Sequence, residues 1–299
     1  MNKDVTMQMN TFKEKTPVSH KIAKCTPLKW MILLIPLLFI LFTLGSSLLD
    51  IIEKSVTNRD GFTLDNYIKI LTEPLYLKVL WNTIKTGIIV TVVCLVLAYP
   101  VAYLSVKSEK AIVRSVVTGG ILIPYWISML VRIFAWQIIL QKNGLINQVL
   151  MQLGIIHKPL TLLYTDLAVV ISLTHILLPY MFLSLQSNME GIDRNLTKAV
   201  EIMGGKPARG FLDVFFPLSK PGIMSGCLMV FVLSLGFYIA PALLGNPNNM
   251  MMSNLIETDM NNFQSGLASA LSIELMVIVF LIIGIVSKFA GNVFIQRKS

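Results

Sequence analysis

The stretch IDRNLTKAVEIMGGKPARGFLDVFFPLSKP, Ile192–Pro221, is polar yet patterned, and it lies between two strongly apolar segments. Ile192, Leu196, Ala199, Val200 and Met203 recur at helical spacing and form one apolar stripe. Asp193 is placed to cap that helix, and Gly204–Gly205 to stop it. Pro207 suits the first turn of a second helix, on which Ala208, Phe211, Leu212 and Phe215 share a face. Pro217 and Pro221 read as its end. The expectation is a helix–glycine turn–helix unit between apolar segments. A solvated loop lying at a membrane surface has the same periodicity, so spacing alone leaves its role open.

Outward from this loop the chain is apolar. Of its 299 residues 55% are hydrophobic and 14% charged, with mean hydropathy +0.71. Soluble domains carry about 25% charged residues. The deficit, with long uncharged runs, predicts an all-α protein that crosses a membrane several times. Six spans are expected, near Trp30–Leu49, Leu80–Val106, Ser115–Leu140, Leu167–Ser187, Gly222–Leu244 and Gly266–Val286. The first is long for a signal peptide and no small-residue cleavage site follows it, so it reads as an uncleaved span. Leu145, Ile146, Val149, Leu150 and Leu153 predict a short interfacial helix after the third. Cys25, Cys94 and Cys227 form no CxxC pair and read as free thiols.

The net charge of +9 follows from charge placement and does not imply nucleic acid. With the N-terminus inside, 17 Lys and Arg fall on the inner side and 6 on the outer. That bias predicts both termini and the Ile192–Pro221 loop in the cytoplasm. The expected organisation is a basic arm (1–29), a six-span domain (30–290, with the loop at 190–221) and a short tail (291–299).

Catalytic constellations are missing from the sequence. GGKP at Gly204–Pro207 fails as a phosphate loop, because Val200 and Pro207 occupy positions that need glycine and Ser/Thr. No metal-ligand cluster, HExxH or nucleophile elbow is present. No bound cofactor or metal is expected in this chain, and the default reading is transport rather than catalysis.

At the loop the sequence resembles a family. In the permease subunits of bacterial ATP-binding-cassette importers, a cytoplasmic loop of pattern EAA-x3-G-x9-I-x-L-P binds the ATPase. Here Lys198-Ala199-Val200, Gly204 and Val214-Phe215-Phe216-Pro217 keep that spacing. Lys198 replaces the acid, and Glu201 lies one turn away. Further stretches resemble the spermidine/putrescine branch: AYPVAYLSVK (98–107), VRIFAWQIILQKNGLINQ (131–148), ILLPYMFLSL (176–185), FPLSKPGIMSG (216–226) and LGNPNNMMMSNLI (244–256). The resemblance implies a multi-pass protein of the bacterial inner membrane. It works with two cytoplasmic ATPases, which use ATP and Mg, with a second related six-span permease and with an external solute-binding protein. Leu196, Lys198, Ala199, Val200, Glu201, Met203, Gly204, Gly205 and Pro217 would form the ATPase-coupling loop.

Charged and aromatic groups inside spans are the solute-path candidates, because unpaired charge in hydrocarbon is costly. Glu274 suits a cation, and Tyr125, Trp126 and Trp136 add aromatic faces. A Glu274–Arg132 salt bridge is the structural alternative for the carboxylate. Arg132 reads as a residue near the outer end of its span, His175 as helix packing, and Asp166 as a helix cap. Rival functions are import of another organic cation, a phosphonate or an amino-acid-like solute, and an ion-coupled secondary transporter.

Overall fold

The computed structural model describes residues 27–58 and 61–295. Most of the basic arm, with Cys25, lies outside the described residues, as do Arg297 and Lys298. The chain divides into two units, Met1–Asp50 and Ile51–Ser299. The described part of the first belongs to helix α1 (Pro27–Val56), which carries Pro36 and is apolar over most of its length.

In the second unit a two-residue hairpin, β1 (Thr57–Asn58) against β2 (Gly61–Phe62), leads to α2 (Asp65–Thr72) and α3 (Pro74–Lys107). Then come α4 (Ala111–Trp126), α5 (Met129–Leu140), α6 (Leu145–Gln152) and α7 (Asp166–Glu190). The loop region follows with α8 (Arg194–Ile202), a single turn α9 (Pro207–Arg209) and a π-helical turn Gly210–Phe215 that continues into α10 (Phe216–Leu235). Helices α11 (Ile239–Leu244), α12 (Met252–Asn261) and α13 (Ser265–Ile295) end the described chain.

Among the described residues, five helices are long and apolar enough to cross a membrane: Leu34–Val56, Pro74–Lys107, Asp166–Glu190, Gly210–Leu235 and Ser265–Lys288. A sixth span exists only if α4 and α5 are counted together, and they meet at 98°. The third span, read from the sequence as interrupted by Pro124, is indeed broken. Pro124 lies inside α4, which runs two residues past it to Trp126, where the Ile127 N–H reaches only back to the Pro124 carbonyl.

The core is the trio α3, α7 and α10. Helix α3 offers Val90, Cys94, Ala98, Ala102 and Val106, one buried residue per turn. Helix α7 answers with the buried Leu173, Leu177, Met181, Phe182, Leu185 and Met189. Lipid is as apolar as leucine, so helices here gain from close contact and hydrogen bonds rather than from leaving water. Gly222 and Gly226, one turn apart on α10, supply that contact. A Cβ on Gly222 would sit 2.6 Å from the Asn188 Cβ, and one on Gly226 2.7 Å from the Met181 Sδ. Ser184 uses the closeness, its Oγ donating to the Gly222 carbonyl at 3.2 Å and meeting the Ser225 Oγ at 2.7 Å.

At the other end of the bundle, Asn82 Nδ2 donates to the carbonyls of Asn249 (2.8 Å) and Met250 (3.2 Å). The Asn249 side chain donates to Asn82 Oδ1 (3.1 Å) and to Asp166 Oδ2 (2.6 Å). Thr83 Oγ1 accepts from the Met252 N–H at 2.7 Å. These bonds tie the turn-rich 245–251 connection across the starts of α3 and α7. They also correct the reading of Asp166: the cap of α7 is Thr165, whose hydroxyl accepts from the Ala168 N–H, and the aspartate holds Asn249 instead.

Two measurements check this packing. Gly226→Leu is expected to cost about 1–3 kcal/mol through overpacking and to lower the melting temperature of the detergent-solubilised protein by several degrees. Gly284→Ala, where a Cβ meets open space, leaves it unchanged. Asp259 on α12 is buried, and burial pushes its carboxyl above the usual range against the opposing pull of Lys69. Its folded form holds the proton more tightly than the unfolded chain, so stability falls as pH rises from the unfolded aspartate value of about 3.9 through the folded one. Asp259→Asn is expected to flatten that slope in melting curves taken from pH 4 to pH 8.

Candidate functional site

The 190–221 region is built in three steps. Asp193 caps α8 as predicted, its Oδ1 accepting from the Asn195 N–H at 2.9 Å. The stop is also as predicted and its geometry is explicit. Gly204 adopts φ +83°, and the Gly205 N–H reaches five residues back to the Val200 carbonyl at 2.9 Å. This is the six-to-one bond that closes a helix with a left-handed glycine. Gly205 is needed for a second reason, since a Cβ there would lie 2.7 Å from the Val200 Cγ1.

The third step differs from expectation. Pro217 and Pro221 do not end a second helix; the chain runs helically from Gly210 through both prolines to Leu235. The π-helical turn explains how. The Phe216 N–H bonds to the Phe211 carbonyl, five residues back, which widens the helix by one residue just before Pro217. The widened turn relieves the clash that a proline ring makes with the carbonyl four residues earlier. The fifth span therefore begins inside the loop, far ahead of the expected Gly222.

That turn is clamped by aromatic rings. Tyr103 of α3 meets Phe215 at 4.9 Å and Phe211 at 5.2 Å, both edge-on. Tyr99 meets Phe216 at 6.1 Å and Phe211 at 6.3 Å, and its hydroxyl shares a 2.9 Å hydrogen bond with the Ser219 Oγ. Lys107 Nζ lies 5.2 Å above the Tyr103 ring. Nearby, Arg114 pairs with Glu190, which also accepts from Gln186, so the start of α4 is tied to the end of α7.

Helix α8 stands out from this anchored base. Leu196 is 46% exposed, Met203 80% and Ile202 86%, and Ala199 is also exposed. Val200 is half-buried, and Ile192, at the root, joins the core. Pro217 is exposed on the first turn of α10. The side chains of Lys198 and Glu201 lie outside the described residues, so the question of the missing acid does too.

The solute-path candidates do not form one cluster. Tyr125 packs edge-on against Tyr180 at 5.6 Å, and Trp136 against His175 at 5.8 Å. Arg132 joins them, 8% exposed, with Tyr180, Tyr125 and His175 as its ionisable neighbours. His175 and Tyr180 lie near the middle of α7, so Arg132 sits at mid-length and not near an outer end. Trp126, 86% exposed, points away. Glu274 is on α13, which packs on α12, α10 and α2, whereas α5 packs on α7, α6 and α11. The Glu274–Arg132 salt bridge is absent among the described residues, and Glu274 Oε2 and Arg132 Nε and Nη1 have no hydrogen-bond partner. The short helix predicted after Leu140 is α6, held by the buried Asn147, which bonds both ways with Leu160.

Sequence reasoning passed over Gly222–Gly226 and the Asn82–Asn249–Asp166 ties. The first carries a readable signal, a small-xxx-small spacing inside an apolar run. The second has none, because its members are 83 and 167 residues apart.

Residues 95–298 match the family described as binding-protein-dependent transport system inner membrane component. The spermidine/putrescine transport system permease protein PotB of Salmonella typhimurium (strain SL1344) is 33% identical over 273 residues, 90% of this chain and 94% of that protein. PotB of Escherichia coli (strain K12) is 34% identical over 243 residues, 79% and 88% of the two chains. A crystal structure of a bacterial alginate ABC transporter, in complex with an alginate pentasaccharide-bound periplasmic protein, has a chain that superposes with TM-score 0.74. It is 14% identical and covers 89% of this chain and 94% of that one, a likeness of fold.

Gly204→Ala places a side chain at a left-handed position and is expected to cost about 1–2 kcal/mol locally. Amide exchange should then quicken in residues 194–206 and stay unchanged in α3, α7 and α10, as read by mass spectrometry.

Proposed function

For a chain that belongs to the binding-protein-dependent transport inner membrane components, we propose the role of a permease subunit in an importer of polyamines such as spermidine and putrescine. The relatives that cover most of its length are permeases for those solutes. The observation that carries the mechanism is the continuity of the loop with a span. Helix α8 ends on the Gly204 turn, the turn leads into the clamped π-helical segment, and that segment runs without a break into α10. Three exposed apolar side chains, Leu196, Ile202 and Met203, thus sit on one end of a continuous lever.

In this reading both termini and the loop face the cytoplasm, where a dimer of ATPases binds and hydrolyses ATP with Mg. The exposed face of α8 lies in a groove of one ATPase, an amphipathic helix in a partner. Closure of the ATPases moves α8; the aromatic clamp and the Gly222–Gly226 contact pass the motion to α10, α3 and α7 as rigid bodies. The 245–251 connection, tied to the opposite ends of α3 and α7, faces the solute-binding protein. A second, related permease completes the pathway. The chain itself binds no cofactor and is not an enzyme. Glu274 is the group for a cationic solute, because it is a span carboxylate with a buried oxygen that no described residue of its own chain satisfies.

Reconstitution of the importer in vesicles tests this with radiolabelled spermidine. Leu196→Glu with Met203→Glu is expected to reduce ATPase co-purification and uptake about tenfold, with this chain's abundance unchanged. Glu274→Gln is expected to reduce uptake and leave ATPase binding intact. Full uptake by both variants, or no ATP-dependent spermidine uptake by the unaltered assembly, rejects the reading.

A further inference from the structure

Among the described residues, Arg132 is a buried charge with unsatisfied nitrogens. Its guanidinium stays protonated at any physiological pH. It is 8% exposed, it lies level with the middle of α7, and its Nε and Nη1 are buried without an acceptor. The ionisable groups around it are Tyr125, Tyr180 and His175, none of which carries negative charge near neutral pH. Glu274, a span carboxylate of the same chain, is on a helix packed elsewhere. Ion pairs are the usual answer to such a charge in a membrane, and a buried charge left alone is costly.

We propose that Arg132 is a trans ion-pair site, completed by a carboxylate that the second permease subunit presents at the same depth. This rests on the proposed importer, and each other source fails on chemistry. Lipid phosphates lie about 15 Å from the bilayer centre. The ATPases and the solute-binding protein lie outside the hydrocarbon. A polyamine is a cation and brings no carboxylate. The break between α4 and α5 leaves the Arg132 level flanked by the exposed Tyr125 and Trp126, a face that an adjacent subunit can cover. The pair would register the two permeases at mid-depth, so that assembly, and not solute, neutralises Arg132.

The test uses the whole importer with an affinity tag on this chain. Arg132→Gln is expected to lower recovery of the second permease about tenfold or more, while Arg132→Lys retains most of it. Each Asp and Glu within the spans of the second permease is changed to Asn or Gln against unaltered Arg132. One of these is expected to reproduce the loss, which keeps the test valid even if Arg132→Gln does not accumulate. Arg132→Glu combined with that acid changed to Arg is expected to restore recovery. The proposal is overturned if none of the partner's acids reproduces the loss. It is equally overturned if Arg132→Gln leaves assembly intact and abolishes only uptake of an acidic amino acid used as probe, which would assign the guanidinium to a solute carboxylate. Spermidine uptake by the unaltered complex, measured in the same vesicles, scores the solute reading separately, because co-purification needs no solute.

Discussion

Close approach of α7 and α10 is the contact on which the rest of the fold depends. In hydrocarbon a leucine-rich helix gains almost nothing by turning toward another leucine-rich helix, so contact must come from backbone proximity and satisfied polar groups. Gly222 and Gly226 provide the proximity, and Ser184 spends it on hydrogen bonds to the Gly222 carbonyl and Ser225. Because α10 is the same helix that begins in the 190–221 loop, a pair of glycines chosen for packing also sets where the loop stands. Helix α3 then closes the trio through a stripe of small side chains, Cys94, Ala98 and Ala102, and through Tyr99 and Tyr103 at the loop end.

Much of this was legible from residues. Apolar run lengths located five or six candidate membrane segments, and Asp193, Gly204 and Gly205 gave both ends of α8. Local signals suffice there because a cap or a glycine turn acts within a few residues. Legibility ended where the deciding partner was distant or the local rule had an exception. Pro217 and Pro221 follow the breaker rule in sequence, yet a π-helical turn and ring contacts from Tyr99 and Tyr103 keep the helix going. Pro124 also lies inside its helix, yet that helix stops two residues later and the chain turns there. The two outcomes differ through tertiary context, which periodicity does not contain.

The solute-path residues show the limit from another side. Residue type rightly marked charges and aromatics inside spans as unusual. It did not tell which of them would meet. Tyr125 and Trp136 converge on the Arg132 level through Tyr180 and His175, while Glu274 belongs to a different packing unit. A single polar cluster drawn from composition thus separates into two sites of opposite charge.

That separation has a physical consequence. Were Arg132 and Glu274 bonded to each other, the fold would be electrically complete as a monomer, and neither would be free for solute or neighbour. Kept apart on α5 and α13, each carries an unmet demand in the low-dielectric interior, where Coulombic interactions are strongest. The demands are also of opposite sign, so a single ligand does not meet both. A cationic solute fits the carboxylate and is repelled by the guanidinium. The guanidinium calls for an anionic group instead.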